Sequence, residues 1–401
     1  MLVTAPFGFY GSGNIGDEAT LQGFERLVAE HSAGLTVLVA SQDPDHTARI
    51  APSFRYYQYR GRITGTLPRM AAHLANSYVF PGGTPIAEAL GDWPLSALAP
   101  MVEHAHRWGK TSVFVGIGLE RITRPDLLKI LRDRIIPHVR FWSVRSEKDR
   151  QRLLEYGASP ENIIVAADMA WLLPAATPDF GKAFLEQPAD DKAPLIGVNV
   201  NAEPAVLSRA PNLLTDIALA LDSLVETQGA HVVFLSNEIR DEPIFDLAAA
   251  RKVLSAMRNH HAAILAPNKY LSPSEMMSVI DRCDMTISTR YHFCLFSALQ
   301  NVPFVAIKRS DKVADLCADV AWPYSLSPED ISATSLSSIA SSLISSRPQA
   351  LEHLAARRSE MRQRSLKNLA ALDIVANQKV RRSDTAKRIW SRFLGQSRTS
   401  R

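Results

Sequence analysis

Along the chain, short unbroken apolar runs alternate with longer stretches in which apolar residues return every three or four positions. These are the signatures of buried strands and amphipathic helices. Phe7 to Tyr10 reads as the end of a buried strand, and Leu21, Phe24, Leu27 and Val28 follow at helical spacing. Leu35 to Ala40, Ser77 to Phe80, Thr111 to Val115, Phe141 to Val144 and Ile163 to Ala166 suit a first parallel sheet, because continuous apolar strands alternating with helices need cover on both faces. From Leu173-Pro174 to Pro178, and again from Pro188 to Pro194, proline and polar residues interrupt the pattern and suit a linker. Leu195 to Val200, His231 to Leu235, Ala262 to Leu265, Met285 to Ser288 and Phe304 to Ile307 then build a second sheet. The expectation is an α/β protein of two Rossmann-like parallel-sheet domains facing a cleft, residues 1–178 and 194–340, with a basic helical tail over 341–401.

Two strand-to-helix junctions carry candidate chemistry. The segment Gly11-Ser-Gly-Asn-Ile-Gly-Asp-Glu18 leads into a helix, so its backbone N–H groups and the positive end of the helix dipole would favour an anion at the sheet's carboxyl edge. Its string Gly11-x-Gly13-x-x-Gly16 matches a dinucleotide fingerprint, yet Asp17 and Glu18 follow at once and would repel a pyrophosphate. Read structurally, the same two acids compensate the helix dipole, worth about 0.3–1 kcal/mol.

The second junction has a clearer frame. Ser272-Pro273-Ser274-Glu275 is a capping box that predicts a helix to about Arg282. Met285 to Ser288 is then a strand, with Arg290, Tyr291 and His292 emerging ahead of a helix from Phe293 to Leu299, and Lys308 ends the next strand. Two cations and an imidazole so meet at neighbouring strand ends. The imidazole titrates near neutral pH and its arginine neighbour supplies anion affinity; a satisfied structural histidine and a surface lysine are the plainer readings.

Composition narrows the class. A chain of 401 residues, 46% hydrophobic and 21% charged, suits an ordinary soluble enzyme with two cores, and no stretch approaches the ~20 apolar residues of a membrane span. Met1-Leu-Val-Thr-Ala-Pro lacks a basic region and a cleavable apolar run, so a cytoplasmic location is expected. Cys283, Cys294 and Cys317 have neither redox nor metal spacing and read as buried small hydrophobes. Neither His104/His106 nor His260/His261 has carboxylates at ligand spacing, and no metal is expected. The net charge of +4 is uneven: residues 351–401 hold 13 Lys and Arg against 4 Asp and Glu, and the first 350 hold 32 against 37. Within the tail Ile389, Trp390, Phe393 and Leu394 alternate with Lys387, Arg388 and Arg392, a pattern that suits an anionic membrane surface or a terminal helix packed on the body. No aromatic-interleaved basic strand accompanies it, which speaks against nucleic acid.

In order along residues 5–325, these landmarks resemble the polysaccharide pyruvyl transferase family: the loop Gly11 to Glu18, the pair Gly82-Gly83, the turn Val144-Arg145-Ser146, and Arg290-Tyr291-His292 ahead of Val302-Pro303-Phe304-Val305-Ala306-Ile307. Tyr291 stands where the family usually has Leu, Pro81 where a glycine triplet would begin, and Gly116-Ile-Gly118-Leu119-Glu120 lacks a Gly-Pro ending. The resemblance implies a GT-B-like arrangement. It also implies transfer of the three-carbon unit of phosphoenolpyruvate onto two hydroxyls of one sugar, forming a cyclic ketal and releasing phosphate, in exopolysaccharide or cell-surface polysaccharide synthesis. The acceptor would be a glycan or a lipid-linked oligosaccharide, and no cofactor is implied beyond the donor itself.

In that scheme Arg145 and Arg290 pair the donor's charges, and His292 is the general acid/base. Asp17 binds acceptor or acts as base, and Lys308 balances charge on departing phosphate. Asn14 hydrogen-bonds ligand or holds its loop, and Gly16, Glu18, Gly82, Gly83 and Tyr291 complete the expected substrate-binding set. Two alternatives keep the fold: a glycosyltransferase using a nucleotide sugar, and a catalytically silent glycan-binding relative. A nicotinamide oxidoreductase rests on the glycine string alone.

Overall fold

The computed structural model describes residues 1–31, 34–59, 71–185 and 193–377. The first sheet contains β1 (Leu2–Ala5), β2 (Thr36–Ser41), β3 (Arg55–Gln58), β4 (Ser77–Pro81), β5 (Thr111–Ile117), β6 (Phe141–Val144) and β7 (Ile163–Val165), in the order β3-β2-β1-β4-β5-β6-β7. The second contains β8 (Leu195–Asn199), β9 (His231–Phe234), β10 (Ala263–Leu265), β11 (Met285–Ser288), β12 (Phe304–Ile307) and β13 (Ser325–Leu326), in the order β10-β9-β8-β11-β12-β13. The pairings are parallel, with Val3 opposite Val37 in β1 and β2, and Thr286 opposite Gly197 in β11 and β8. Each sheet reverses direction between its first strand and its fourth, β1/β4 and β8/β11. Such switch points open a crevice at the strands' carboxyl ends.

Seven helices position the site: α1 (Ile15–Glu30), α2 (Glu147–Glu155), α3 (Asp246–Ala256), α4 (Tyr291–Leu299), α5 (Asp311–Asp319), α6 (Arg347–Leu366) and α7 (Leu369–Ala376). The capping box forms as its sequence dictates: Glu275 N–H donates to Ser272 Oγ at 3.2 Å and Ser272 N–H to Glu275 Oε2 at 2.7 Å, opening a helix over Pro273–Ile280.

Two expectations need correction. The strand β1 ends at Ala5, and Phe7 to Tyr10 is irregular chain leading into a turn, with Phe7 and Tyr10 buried and Phe9 half-buried. Pro6 has no N–H for the ladder, so the aromatic residues that read as strand pack sideways. Phe7 and Phe9 each lie 5.4 Å from the Trp93 ring, and Tyr10 O–H donates to Pro81 O. The helix at the second junction starts two residues before Phe293, which makes Arg290 its N-cap residue.

The segment expected to be a basic helical tail from residue 341 is helical over Arg347–Leu366 and Leu369–Ala376. Its described part is structural: α6 runs back from the second domain, and α7 buries Ala371, Leu372 and Val375 in the core of the first with Val3, Phe24 and Val113. Between these helices Asn368 is fully buried. It accepts from Ser143 Oγ at 2.5 Å and donates to Ala167 O at 2.9 Å. The basic surface charge of this stretch hid that apolar face. The amphipathic segment from Lys387 to Leu394 lies outside the described residues, among which no helix is long and apolar enough to cross a membrane.

Candidate active site

The glycine loop after β1 is shaped for packing. Gly11 and Gly13 have φ of 73° and 98°, in the left-handed region that favours glycine. Asn14 caps α1, its Oδ1 accepting from Gly16 N–H at 2.9 Å. Ile15 N–H donates across the cleft to Asn237 O at 3.0 Å, and Asp17 N–H to Asn14 O at 3.2 Å. The first N–H groups of α1 are therefore satisfied by protein, so the dipole-based anion site expected there is closed. Asn237 Nδ2 also reaches Asn14 Oδ1 at 3.1 Å, and Ile239 N–H reaches Gly13 O at 2.9 Å, stitching this loop to the one after β9. Glu18 turns back into the loop, accepting from Gly11 N–H at 2.5 Å and from Tyr270 O–H at 2.8 Å. Burial pushes its carboxyl up to about 7, against the pull of those hydrogen bonds.

Gly16 exists for His292. A Cβ on Gly16 would lie 2.2 Å from His292 Nδ1, so the imidazole rests directly on the backbone of α1. His292 Nε2 lies 3.2 Å from Thr20 Oγ1 and 3.5 Å from Asp168 Oδ2. Gly82, at φ 63°, keeps Thr20 in place, because a Cβ there would overlap Thr20 Cγ2 at 1.7 Å. Gly83, at φ 69°, lies 4.0 Å from Asp17 Oδ1 as measured from its would-be Cβ.

Asp168 is fully buried behind the histidine. Burial alone would raise its carboxyl, but His292, Arg145 and Ala170 N–H hold it down to about 2. Nothing in the strand and helix pattern picked out this residue; the signal was a lone acid within the apolar run Ala166 to Leu173.

Arg145, at the end of β6, is buried. It donates to Asp168 Oδ2 and to Thr84 Oγ1, both at 3.3 Å, and lies 4.8 Å from the Tyr291 ring centroid. The departure from Leu at 291 thus gives the guanidinium an aromatic face. Gly118 supplies the other side: a Cβ there would meet Arg145 Nη2 at 2.2 Å.

Arg290 is placed differently from a free ligand-binding arginine. Its Nε and Nη2 donate to Asp246 Oδ1 at 2.9 and 2.6 Å. Asp246 Oδ2 in turn accepts from Asn237 N–H, Glu238 N–H and Asn199 Nδ2 at 2.9–3.1 Å. Beside it lies Arg309, unnoticed in the sequence, which donates to Thr289 O at 2.8 Å and pairs with Glu203 at 2.5 Å. Burial and the Arg290 charge push the Arg309 guanidinium below its ordinary range.

Lys308 ends β12, its backbone N–H donating to Leu326 O at 2.8 Å. The lysine in the cleft is Lys312, in the first turn of α5. Burial, followed by Arg145 and Arg309, lowers its ammonium, with Glu120 and Asp17 opposing. Among the described residues no ion pair or hydrogen bond within contact distance neutralises it. Asp17 is pushed up to about 6 by burial, with Glu238 and Glu18 adding and His292 and Lys312 opposing. The cleft therefore joins Asp17, Arg145 and Asp168 of the first domain to His292, Arg309 and Lys312 of the second. No group of three or more His, Cys, Asp or Glu among the described residues could hold a metal ion.

Two parallel sheets with facing switch points and a C-terminal helix returning to the first domain define a GT-B-like fold. Solved structures share it. A glycosyltransferase from Rickettsia africae matches with TM-score 0.60 at 12% identity, over 94% of this chain and 99% of that one. Anabaena HepE in complex with UDP-glucose matches with TM-score 0.60 at 11% identity, over 94% and 99%. The UDP-GlcNAc 2-epimerase from Neisseria meningitidis bound to UDP-GlcNAc matches with TM-score 0.58 at 10% identity, over 88% and 94%. At such identities the likeness is one of fold alone. No curated protein matches the sequence. The polysaccharide pyruvyl transferase family model matches residues 14–311, and the chain belongs to that family.

Proposed function

We propose that the protein transfers the pyruvyl unit of phosphoenolpyruvate onto two hydroxyls of one sugar in a glycan or lipid-linked oligosaccharide, in the synthesis of a cell-surface polysaccharide. The observation that carries this reading is the group of cations at the cleft: Arg145, held by Asp168 and Thr84 at 3.3 Å, with Arg309 and Lys312 near enough to feel its charge, Lys312 having no carboxylate at ion-pair distance among the described residues. Like charges held together in a half-buried site await a compact anion. Phosphoenolpyruvate, with a phosphate and a carboxylate on three carbons, suits that spacing.

The reaction needs one proton on the enol CH2 carbon, making it a methyl and the central carbon an electrophile. One sugar hydroxyl then adds to that carbon and loses its proton. Phosphate leaves with cleavage of its bond to carbon, and the second hydroxyl adds in the same way. The two hydroxyl protons balance the one given to carbon and the one carried off by phosphate. His292, oriented by Asp168 and Thr20, is the group suited to moving protons, and Asp17 is a carboxylate whose raised pKa lets it accept one near neutral pH. Lys312 and Arg145 stabilise the charge on the departing phosphate.

Incubation of the protein with phosphoenolpyruvate and glycan acceptors, read by phosphate release and by a ketal methyl resonance, tests the proposal. Saturable binding of phosphoenolpyruvate, lost on Lys312→Met, is expected; binding of UDP in its place would move the protein to the glycosyltransferase reading.

A further inference from the structure

On α5, Asp311, Asp315 and Asp319 recur at four-residue intervals and so form one stripe of the helix. Two of them are tied to the first domain. Asp311 Oδ1 accepts from Lys148 Nζ at 2.7 Å and Oδ2 from Arg152 Nη2, both on α2. Asp315 Oδ2 lies 3.4 Å from Ser146 Oγ, the N-cap of α2, whose one hydroxyl proton points to Asp149 Oδ2 at 2.9 Å. Asp319 accepts at 2.8 Å from Arg364 Nη1 on α6, whose Nη2 holds Ala166 O at 3.2 Å.

The receiving face of α2 is itself fixed. Arg152 Nη1 donates to Leu119 O at 2.5 Å and Asp149 Oδ1 accepts from Leu119 N–H at 2.8 Å. Leu119 follows Gly118, on whose backbone the Arg145 guanidinium lies. One continuous set of contacts therefore runs from Asp311 through Arg152 and Leu119 to Arg145. Lys312 is the next residue after Asp311, and its ammonium is near enough to Arg145 and Asp17 of the first domain to feel their charges. Lys312 and Arg145 carry like charge on different domains, and that repulsion tends to part them. The Asp311 contacts oppose it.

We propose that Asp311 is a positioning residue: it clamps α5 onto α2 and thereby sets the place of Lys312 of the second domain relative to Arg145 and Asp17 of the first. The ligand that Lys312 meets rests on the reading under Proposed function; the clamp does not.

The test joins small-angle scattering to calorimetry on the full chain. Asp311 is half exposed at the rim, so Asp311→Lys is expected to fold, with Lys148→Glu reading the same contact from its exposed partner. Both variants should increase the radius of gyration and weaken phosphoenolpyruvate binding about tenfold. Asp311→Lys combined with Lys312→Met should bind no more weakly than Lys312→Met alone, because Asp311 acts through Lys312. Additive losses in the double variant, or scattering curves that match the parent protein, would overturn the proposal. If the parent protein binds no phosphoenolpyruvate, the donor reading falls and the scattering comparison alone decides the clamp.

Discussion

At the scale of single residues, the cleft is built as much by missing side chains as by charged ones. Gly118 leaves room for the Arg145 guanidinium, and Gly16 for the His292 ring. Gly118→Ala should leave the fold intact, since the end of a long side chain can move, but should cost donor affinity about tenfold by lifting Arg145 from Asp168 and Tyr291; calorimetry beside circular dichroism separates the two. His292→Ala should bind donor within a few-fold of the parent protein and lose turnover by roughly 10²–10⁴, whereas normal phosphate release would remove His292 from acid/base work. If Asp17 acts as a base, the acid limb of the kcat/KM profile should centre near its value of about 6, and Asp17→Asn should abolish that limb.

Glu18 makes a separate prediction about stability. Its folded value of about 7 exceeds the ordinary 4.5, so the fold favours its protonated form. That contribution is complete below about 4.5 and is lost as pH rises through 7. Glu18→Gln keeps an oxygen for Gly11 and Tyr270, and should gain on the parent protein by ~1–3 kcal/mol at pH 8 with little difference at pH 4.5. Denaturant melts at both values check the sign.

At the scale of elements, α6 packs in the core of the second domain and α7 in that of the first, so the two helices bridge them. Ser365 Oγ donates to Asp168 O at 3.0 Å, so α6 supports the backbone of the acid behind His292. Leu372 is fully buried against the first sheet, and Leu372→Ala should destabilise that domain by about 2–4 kcal/mol. A midpoint unchanged in thermal melts would show that α7 does not complete the core. Strands buried at every position, such as β6 and β11, were legible to the residue, because their runs hold no charged residue and only small hydroxyl side chains among the apolar ones. Two edge strands were not: Arg55-Tyr-Tyr-Gln in β3 is polar at both ends, and β13 is only two residues long. The apolar stripe of α7 was hidden by the basic residues around it, so net charge suggested a tail where packing makes a wall.

At the scale of the molecule, the two sheets and their cleft could be read from the alternation of strands and helices, and the motif loops could be placed at carboxyl ends. Partnership across the cleft could not. Arg290 was identified by position, but its bond to Asp246 depends on α3, 44 residues earlier in sequence. Lys312 and Arg309 follow Lys308 closely, and the sequence alone does not say which of the three charges is felt at Arg145. The glycine loop was correctly placed at a helix N-terminus, yet Asn237 from the other domain occupies an N–H group that an isolated helix would offer to an anion.

The central claim is that the cleft cations bind the donor's two anionic groups. Calorimetric titration with phosphoenolpyruvate, on the parent protein and on Lys312→Met, tests it most directly. The account predicts saturable binding weakened by roughly 2–4 kcal/mol in the variant; equal binding in both, or none in either, would contradict it.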